Sequence, residues 1–528
     1  MKRCPECRRD YYDDSLFYCL DDGTSLLDGP ASFPSGSRTE VLRAPVTADE
    51  PPTVTFNSLT SSEIRRLTSV AVLPFANLSG EPANEYFSDG LSEELLNVLS
   101  RVRGIRVAAR TSAFSFKGKQ STVAEIGSIL NVSSVLEGSI RFAGNRIRVN
   151  VQLEDASNGF QLWSETYDRT LDDIFAVQDD IAQAVVEEIR THFLGDEIHD
   201  TGTRAIESEI ADAMKGRTAD PEAQRLLMLG RFFLDRTKKE DGLKAIAHFQ
   251  EAVDLDPGFA LGWAELSRAL CVAAGKSWLP IDESYERARL AAKKSLEAEP
   301  TLAEGYAQLG RIQAAHEMNI EAAAASYAKA LSLAPGNPVV ADGASILEFK
   351  LGNFEKAAEL SRSVIDRDPL SGAVWHNLGL ILHAGGDLAG AAAAFGKAVE
   401  LSPGRLVSAA MHATVLIDLD REKEALEEAD REPDKFWRTW ARAIILSRLG
   451  KEEADAELES LLSESDDGDA FQVAEVYAAR GDLDAAFNSL TQALQAKDPG
   501  ITHAKGSTHL RALHADPRWA QMMEKLGL

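Results

Sequence analysis

Three cysteines and an aspartate near the start of the chain have the types and spacing of a metal site. Cys4 and Cys7 form a Cys-x-x-Cys pair, and Cys19 opens a run that places Asp22 where a second pair would carry its other cysteine. Zinc accepts thiolate sulfur and carboxylate oxygen in tetrahedral sites. The spacing predicts a zinc ion bound by Cys4, Cys7, Cys19 and Asp22, with Asp21 as the less favoured fourth ligand. A reactive or unmetallated cysteine cluster is the alternative.

Residues 1–27 are too few to bury a core of their own, so a metal ion would have to hold them together. Their Cys-Pro-Glu-Cys run, Phe17 and the Asp-Gly pair at 22–23 resemble the short zinc ribbons at the amino ends of bacterial regulatory proteins. Because protein ligands would fill all four positions, the zinc is expected to be structural. The fourth cysteine, Cys271, stands alone on a predicted helix and is expected to be a small buried residue.

No set of residues elsewhere has the spacing of a catalytic site. The ten histidines are dispersed, without a His-Glu-x-x-His run. Gly275-Lys276-Ser277 is similar to the end of a phosphate-binding loop, but Leu270 stands where the first glycine must be. We therefore predict that the protein is not an enzyme.

Composition narrows the partners and the compartment. The 528 residues carry a formal net charge of −27, which opposes binding to the phosphate backbone, so nucleic acid is an unfavoured partner. No stretch approaches the roughly 20 apolar residues of a membrane span. The basic first residues lead directly to Cys4 without the apolar run of a secretory signal. A cytoplasmic location is expected.

A linker and an α/β domain follow the cysteines. Residues 28–66 are rich in Pro, Ser, Thr and Gly with little apolar periodicity, which predicts a disordered linker. Apolar runs and amphipathic patterns then predict an α/β domain over 67–200 and a connector over 201–217. The predicted strands lie at 69–75, 105–108, 135–140, 146–153 and 161–167, and the predicted helices at 87–102 and 123–130.

The second half of the chain repeats. Prolines recur near the tetratricopeptide period of about 34 residues. They are Pro257, Pro300, Pro335, Pro369 and Pro403. In the clearest unit, apolar and small residues lie on one face of each of two helices, so neighbouring units must cover both faces. This unit carries Trp375, Leu378, Gly379, Ala391, Phe395 and Pro403. We predict an all-α solenoid over 218–528 with a closing helix, and a protruding loop where residues 275–280 lengthen one unit.

Sequence motifs in the α/β region also match a known arrangement. They are Ala71-Val72-Leu73-Pro74-Phe75, Tyr86-Phe87-Ser88-Asp89-Gly90-Leu91, Arg110-Thr111-Ser112, Leu136-Glu137-Gly138-Ser139, Leu162-Trp163-Ser164-Glu165 and Phe175-Ala176-Val177-Gln178. With the repeats, they make the chain resemble bacterial proteins in which a TolB-like amino-terminal domain precedes a tetratricopeptide array, a type often labelled as an adenylate cyclase or transcriptional regulator. The resemblance covers most of residues 67–528 and implies a scaffold. A predicted zinc ribbon and linker stand where many such proteins carry a cyclase, kinase or winged-helix module, so no cyclase activity is expected.

Repeat geometry in that family puts certain positions of each first helix on the concave face of the solenoid. One such position holds Arg231, Arg268 and Arg311 in consecutive units, which could bind the carboxylates of an acidic peptide. The alternative is that each arginine pairs with a neighbouring acidic residue. His376 and His383 lie seven residues apart on one helix and are expected on a shared, solvated surface of the same partner-binding groove, with a metal site as the alternative.

Together these features predict a non-enzymatic bacterial adaptor, with structural zinc as its cofactor. Its concave face would recruit a protein or peptide partner in a regulatory or signalling assembly. A second copy of the chain is an alternative partner. The alternative function is that of a regulatory sensor, in which the α/β domain binds a small ligand and the solenoid relays it.

Overall fold

The structure is a computed structural model. It describes residues 2–3, 10–11 and 27–28, and then 68–194 and 210–527 except for 82–83, 103, 145, 171–173, 237, 466 and 497. The chain divides into two compact units, Met1–Ser58 and Leu59–Leu528. In the first unit, β1 (Lys2–Arg3) pairs antiparallel with both β2 (Asp10–Tyr11) and β3 (Leu27–Asp28). The predicted zinc ligands lie outside the described residues.

The second unit begins with a mixed sheet. Its strands are β4 (Ser69–Val72), β5 (Ala76–Asn77), β6 (Arg106–Val107), β7 (Ser134–Ala143), β8 (Arg146–Asp155) and β9 (Gln161–Thr170). They are arranged in the order β6-β4-β7-β8-β9, and β5 also pairs with β7. Strand β4 pairs in parallel with β6 and β7, whereas β7, β8 and β9 form an antiparallel meander. The predicted α/β class is thus observed, with a sheet that is parallel on one side and antiparallel on the other.

Helices cover both faces of this sheet. They are α1 (Glu85–Arg101), α2 (Arg110–Phe114), α3 (Val123–Leu130) and α4 (Ile174–Leu194). Strand β4 is buried on both faces: Val70 and Val72 pack with residues of α1 and α4, whereas Ala71 and Leu73, the residue after the strand, pack with residues of α2 and α3. A strand covered on both faces must be apolar throughout, which explains the continuous apolar run in the sequence.

The rest of the described chain is helical and forms eight antiparallel pairs. The helices are α5 (Pro221–Leu234), α6 (Lys239–Leu255), α7 (Ala260–Gly275), α8 (Ile281–Ala298), α9 (Ala303–Ala315), α10 (Ile320–Leu333), α11 (Pro338–Leu351), α12 (Phe354–Ile365), α13 (Gly372–Gly385), α14 (Leu388–Leu401), α15 (Ser408–Asp418), α16 (Glu422–Ala429), α17 (Lys435–Arg448), α18 (Glu453–Glu464), α19 (Ala470–Arg480) and α20 (Leu483–Ala496). Two 3₁₀ segments, Pro499–Gly506 and Thr508–Leu513, lead to the closing helix α21 (Pro517–Leu526). The predicted all-α repeat region is confirmed.

Two contacts explain the roles of the glycine and the tryptophan of the repeat. A Cβ added at Gly379 of α13 would lie 2.8 Å from the Phe395 ring of α14, so only glycine lets the two helices approach this closely. The indole Nε1 of Trp375 donates a hydrogen bond to the carbonyl of Pro369, which ends the preceding pair, at 2.8 Å. Trp263 makes the same bond to Pro257 at 2.9 Å. In both repeats, the tryptophan therefore links its helix pair to the preceding helix pair by a hydrogen bond.

The predicted loop at 275–280 does not protrude. The additional residues lengthen α7 and α8 to 16 and 18 residues, compared with 13 and 14 for α9 and α10. The short turn between α7 and α8 is half-buried at Trp278, whose ring lies against Gly242 of α6, where an added Cβ would approach it to 2.1 Å. Packing of an apolar ring onto the preceding repeat is more favourable than its exposure, and this keeps the turn on the solenoid.

Candidate functional site: the repeat face and the chain segments that cover it

Arg231 lies at the centre of a buried charge cluster on the face predicted to bind a partner. We call this surface, formed by the first helices of the repeats and carrying Arg231, Glu265, Arg268, Arg311, Asp342, His376 and His383, the repeat face. The side chain of Arg231 is 5% exposed. Its guanidinium forms an ion pair with Glu94 and contacts Glu265 at 3.0 Å and Glu93 at 3.5 Å. Glu93 and Glu94 belong to α1 of the α/β domain, so Arg231 already binds a helix of its own chain.

A second arginine completes the pairing of Glu94. Arg217, just before α5, approaches the other oxygen of the Glu94 carboxylate at 2.7 Å. Burial raises the pKa of Glu94, but Arg217 and Arg231 outweigh it and hold the pKa below its ordinary value. Burial likewise opposes ionisation of Glu265, yet Arg268 and Arg231 lower its pKa to about 2. Both carboxylates are therefore charged at neutral pH, and the cluster is held together by buried charge pairs.

Close backbone packing accompanies these charges. A Cβ added at Gly90 of α1 would lie 2.7 Å from Met228 Cγ on α5, so glycine is required for this contact. Near the ends of the interface, Arg110 pairs with Asp235 at 2.7 Å and Arg101 with Glu304 at 2.8 Å. Helix α1 therefore contacts the first repeat closely and reaches the third repeat at its carboxyl end.

The α/β domain also touches the loop between α12 and α13. The amide of Ala109 donates to the carbonyl of Arg367 at 2.7 Å. The Ser112 hydroxyl donates to Asp368 at 2.6 Å and accepts from the amide of Leu370 at 2.9 Å. These bonds use backbone groups and a buried hydroxyl, so the domain is fixed at both ends of the interface, from the first repeat to the fourth.

The three arginines predicted to act together have different surroundings. Arg268 is paired with Glu265 on its own helix at 2.7 Å, and Glu265 also pairs with Arg231. Arg311 is half-buried near Asp342 and Tyr327, and it lowers the pKa of both groups against the larger, opposing effect of burial. Of the three, Arg231 has ion pairs to α1 among the described contacts. The alternative prediction was that each arginine pairs with an acidic residue of its own chain. Arg231 and Arg268 do so.

His376 and His383 do not form a solvated pair, which corrects the prediction from their spacing. His376 is buried, with Nδ1 3.0 Å from the Ser408 hydroxyl, and burial together with Arg405 lowers its pKa to about 3. His383 is 2% exposed, with Nε2 2.6 Å from Asp418. Their spacing placed them correctly on one helix face, but it did not show that other parts of the chain cover that face.

The covering segment on this side is the 3₁₀ region that follows the repeats. A Cβ at Gly506 would lie 2.4 Å from the Phe349 ring of α11. The Thr508 hydroxyl lies 3.2 Å from Nε2 of His383, and Arg511 donates to the carbonyl of Ala384 at 3.1 Å. The repeat face is therefore covered by α1 and its neighbours over the first repeats and by residues 499–513 over later ones.

The sequence analysis did not predict that the carboxylates of α1, or the 3₁₀ residues 499–513, cover the repeat face. Helix α1 carried a signal, because Ser88, Asp89, Ser92 and Glu94 are polar residues at positions that are buried in the structure. Polar residues on several sides of a helix that also has an apolar face indicate a second, polar partner. In residues 499–513, Thr502, Thr508 and His509 are likewise polar and buried, but no regular helix pattern there shows which face they lie on.

The described residues contain no group of three or more His, Cys, Asp or Glu side chains placed to hold a metal ion. Cys4, Cys7, Cys19 and Asp22 lie outside the part of the chain that the structure describes. Cys271 is buried in the core of the first two repeats, and burial raises the pKa of its thiol to about 11. In the described part of the chain, no helix is both long and apolar enough to span a membrane.

A family model for the tetratricopeptide repeat matches residues 344–405, which include α12, α13 and α14. The helical half of the chain is a tetratricopeptide-repeat region. Several solved structures are each similar to part of this chain. They are PilF of Pseudomonas aeruginosa (19% identity, 39% of this chain and 90% of that one, TM-score 0.32), the type IV pilus biogenesis factor PilW (17%, 45% and 98%, 0.33) and YrrB, described as having an unusual peptide-binding site (20%, 37% and 97%, 0.29).

A curated relative also matches part of the chain. The chain is 39% identical over 199 residues to putative adenylate cyclase 3 of Rhizobium meliloti (strain 1021). The match covers 38% of this chain and 32% of the relative, so the chain spans about a third of that protein's length.

Proposed function

We propose that this protein is a non-enzymatic scaffold whose tetratricopeptide-repeat region recruits a protein partner into a bacterial regulatory or signalling assembly in the cytoplasm. The contact of Arg231 with Glu94 carries the proposal. It supports a repeat face that can hold a helical protein segment through buried, charge-assisted hydrogen bonds, which are the stronger kind. The relative named as an adenylate cyclase is matched over a limited share of its length and does not extend a catalytic role to this chain.

The α/β domain is, in this proposal, a TolB-like domain that the repeats carry. A partner that uses the first repeats must take the place of α1, because Arg231 and Met228 are already covered by it. A partner that leaves α1 in position must bind surfaces outside the repeat face. These two routes differ in how they respond to loosening of the α1 contact.

Capture from the cells that make the protein tests this function. The bait is the tagged full chain, in the wild-type form and with Gly90→Leu, which forces α1 away from Met228. Gly275→Leu is the matched control, because a Cβ at Gly275 meets no heavy atom within 4 Å. A protein enriched in proportion to the wild-type bait is the expected result, and a larger yield with Gly90→Leu would assign it to the repeat face. Absence of any such protein from all three baits would overturn the scaffold function.

The amino-terminal ribbon is proposed to hold one structural zinc ion through Cys4, Cys7, Cys19 and Asp22. Its support is the donor set, because three thiolates and a carboxylate suit zinc. Elemental analysis of the purified chain should give one zinc per molecule, lost in Cys4→Ser and retained in Cys271→Ser. Retention of zinc in both variants would refute the site.

A regulatory sensor is the second candidate, and the same charge cluster favours it. Glu94 joins the α/β domain to Arg217 and Arg231, so a ligand that altered α1 would alter the repeat face directly. A thermal-shift screen of the full chain with small molecules tests this function, since a ligand that binds the folded form raises its melting temperature. A ligand whose stabilisation disappears in Gly90→Leu would indicate a relay, whereas equal stabilisation in both chains would argue against one.

A further inference from the structure

Strand β9 is an edge of the sheet. It pairs with β8 from Arg146↔Thr170 to Glu154↔Gln161, and it ends the strand order of the described sheet. A strand paired on one side directs alternate backbone N–H and C=O groups away from the sheet on its other side. Residues 161–169 of β9 are long enough to serve as a template for an added strand.

An open acidic groove of about 260 Å³ adjoins this edge, between β9 and α4. Alternate residues of β9, namely Glu165, Tyr167 and Arg169, line it from the sheet, and Asp180 and Glu187 of α4 line it from the helix. Residues two apart on a strand share a face, so a strand added beside β9 would direct every second side chain into this groove.

The charges of the groove indicate which side chains fit. Its carboxylates are those of Glu165, Asp180 and Glu187, against the single guanidinium of Arg169. Arg169 already contacts Asp180 at 3.4 Å, and the Tyr167 hydroxyl donates to Glu165 at 3.0 Å. The lining is left with an excess of negative charge. Pairing with β9 of a second copy would bring two such grooves together, which like-charge repulsion disfavours.

We propose that β9 docks an extended basic segment of a protein partner, which adds to the sheet as a further strand and places alternate Lys or Arg side chains in the groove. Main-chain hydrogen bonds to β9 supply affinity, and the carboxylates select for basic residues, as in other cases of strand addition. This inference rests on the proposed scaffold function and names the chemistry of its partner. The contact leaves α1 on the repeat face, because it uses the opposite end of the sheet from β6.

The test measures binding of a fluorescent decapeptide of alternating Lys and Val to the full chain. Three further probes serve as comparisons: an alternating Glu and Val peptide, the Lys peptide N-methylated at alternate residues, and the Lys peptide at raised salt. The variant is Glu165→Lys with Glu187→Lys. Its matched control, Glu422→Lys with Glu427→Lys, makes the same charge change at exposed positions of α16.

The Lys peptide is expected to bind the wild-type chain and the α16 control equally, and the groove variant at least about tenfold more weakly, a difference of roughly 1.4 kcal/mol. Amide exchange should slow in β9, N-methylation should abolish binding because it removes the strand's donors, and the Glu peptide should not bind. Equal affinity for all chains, binding that survives N-methylation, exchange unchanged in β9, or no binding up to about 1 mM peptide would each overturn the inference. If a partner is captured in cells while the Lys peptide fails, the edge proposal alone is wrong; if capture fails while the peptide binds, the scaffold function is wrong.

Discussion

Removing Arg231 from the charge cluster leaves its buried carboxylates with one arginine partner fewer. Glu94 keeps Arg217 and Glu265 keeps Arg268, but each loses a second pairing. Arg231 forms ion pairs with Glu94, Glu265 and Glu93, and all four side chains are at most 13% exposed. Burial already raises the pKa of Glu93 despite the nearby arginines. The cluster therefore stabilises the docked state only while it is complete.

Arg231→Ala is expected to destabilise the folded chain by up to about 3–5 kcal/mol, the effect of a wholly uncompensated buried charge, because Glu94 and Glu265 each keep another arginine. Thermal or denaturant unfolding of the full chain measures this. Arg289→Ala is the control: Arg289 makes an exposed pair with Glu286, and its loss should leave the unfolding transition in place. Equal effects of the two substitutions would contradict the role given to Arg231.

Glu475 offers a pH-dependent test at the same scale. Burial raises its pKa to about 8, although the Ser507 hydroxyl donates to it at 2.6 Å. The folded chain keeps this proton between its unfolded pKa of 4.5 and about 8, while the unfolded chain releases it. Stability contributed by protonated Glu475 is thus fully present below pH 4.5 and is lost as pH rises toward 8.

Glu475→Gln removes the loss of folding stability that accompanies rising pH, because the amide does not ionise, and it keeps the side chain's shape. The substitution should raise the melting temperature at pH 8 and change it little at pH 5. Melting curves of both chains across this range provide the measurement. A constant difference between the chains at all pH values would mean that Glu475 does not titrate in this range.

Among the helices and strands, the sequence pattern predicted those features that depend on residues close together in the chain. The prediction of a helix over 123–130 agrees with α3, whose Thr122 and Glu125 form a capping box. The repeat pairs were predicted because proline, glycine and aromatic residues recur where helices end or touch. The docking of α1 on α5 and of residues 499–513 on α11 was not predicted, because such contacts between distant segments leave no periodic signal in a single sequence.

The returning 3₁₀ segment can be lifted from the repeat face by one substitution. Gly506→Leu places a side chain against the Phe349 ring, where even a Cβ would approach to 2.4 Å. Amide exchange should become faster in α11 and α13 and stay unchanged in α7. Gly404→Leu is the control, since a Cβ there meets no heavy atom within 4 Å. Protection of α11 and α13 that is the same in both variants would show that the segment does not hold this face.

At the scale of the whole molecule, the chemistry predicted for the repeat arginines occurs inside the chain. Their spacing predicted that a carboxylate ligand would bind this surface, and Arg231 does bind one, on α1. The sequence could not show that the ligand is internal, because pairing Arg231 with Glu94 depends on how the sheet and the repeats meet. A partner that binds the first repeats must therefore displace α1, whereas the edge strand β9 of the docked α/β domain offers a proposed site that leaves α1 in place.

This arrangement predicts that the sheet and the first repeats unfold together. Helix α1 belongs to the core of the sheet through Leu91, Leu95 and Leu99, and to the charge cluster through Glu94. An element shared by two cores couples their stability, so the unit Leu59–Leu528 should give one main calorimetric transition in the wild-type chain. Arg231→Glu places a fourth negative charge among Glu93, Glu94 and Glu265, and it should separate the transition into two, with the α/β domain melting first. If the wild-type chain already melts in two steps, and Arg231→Glu shifts neither, α1 does not couple the sheet to the repeats, and a relay through this helix is ruled out as well.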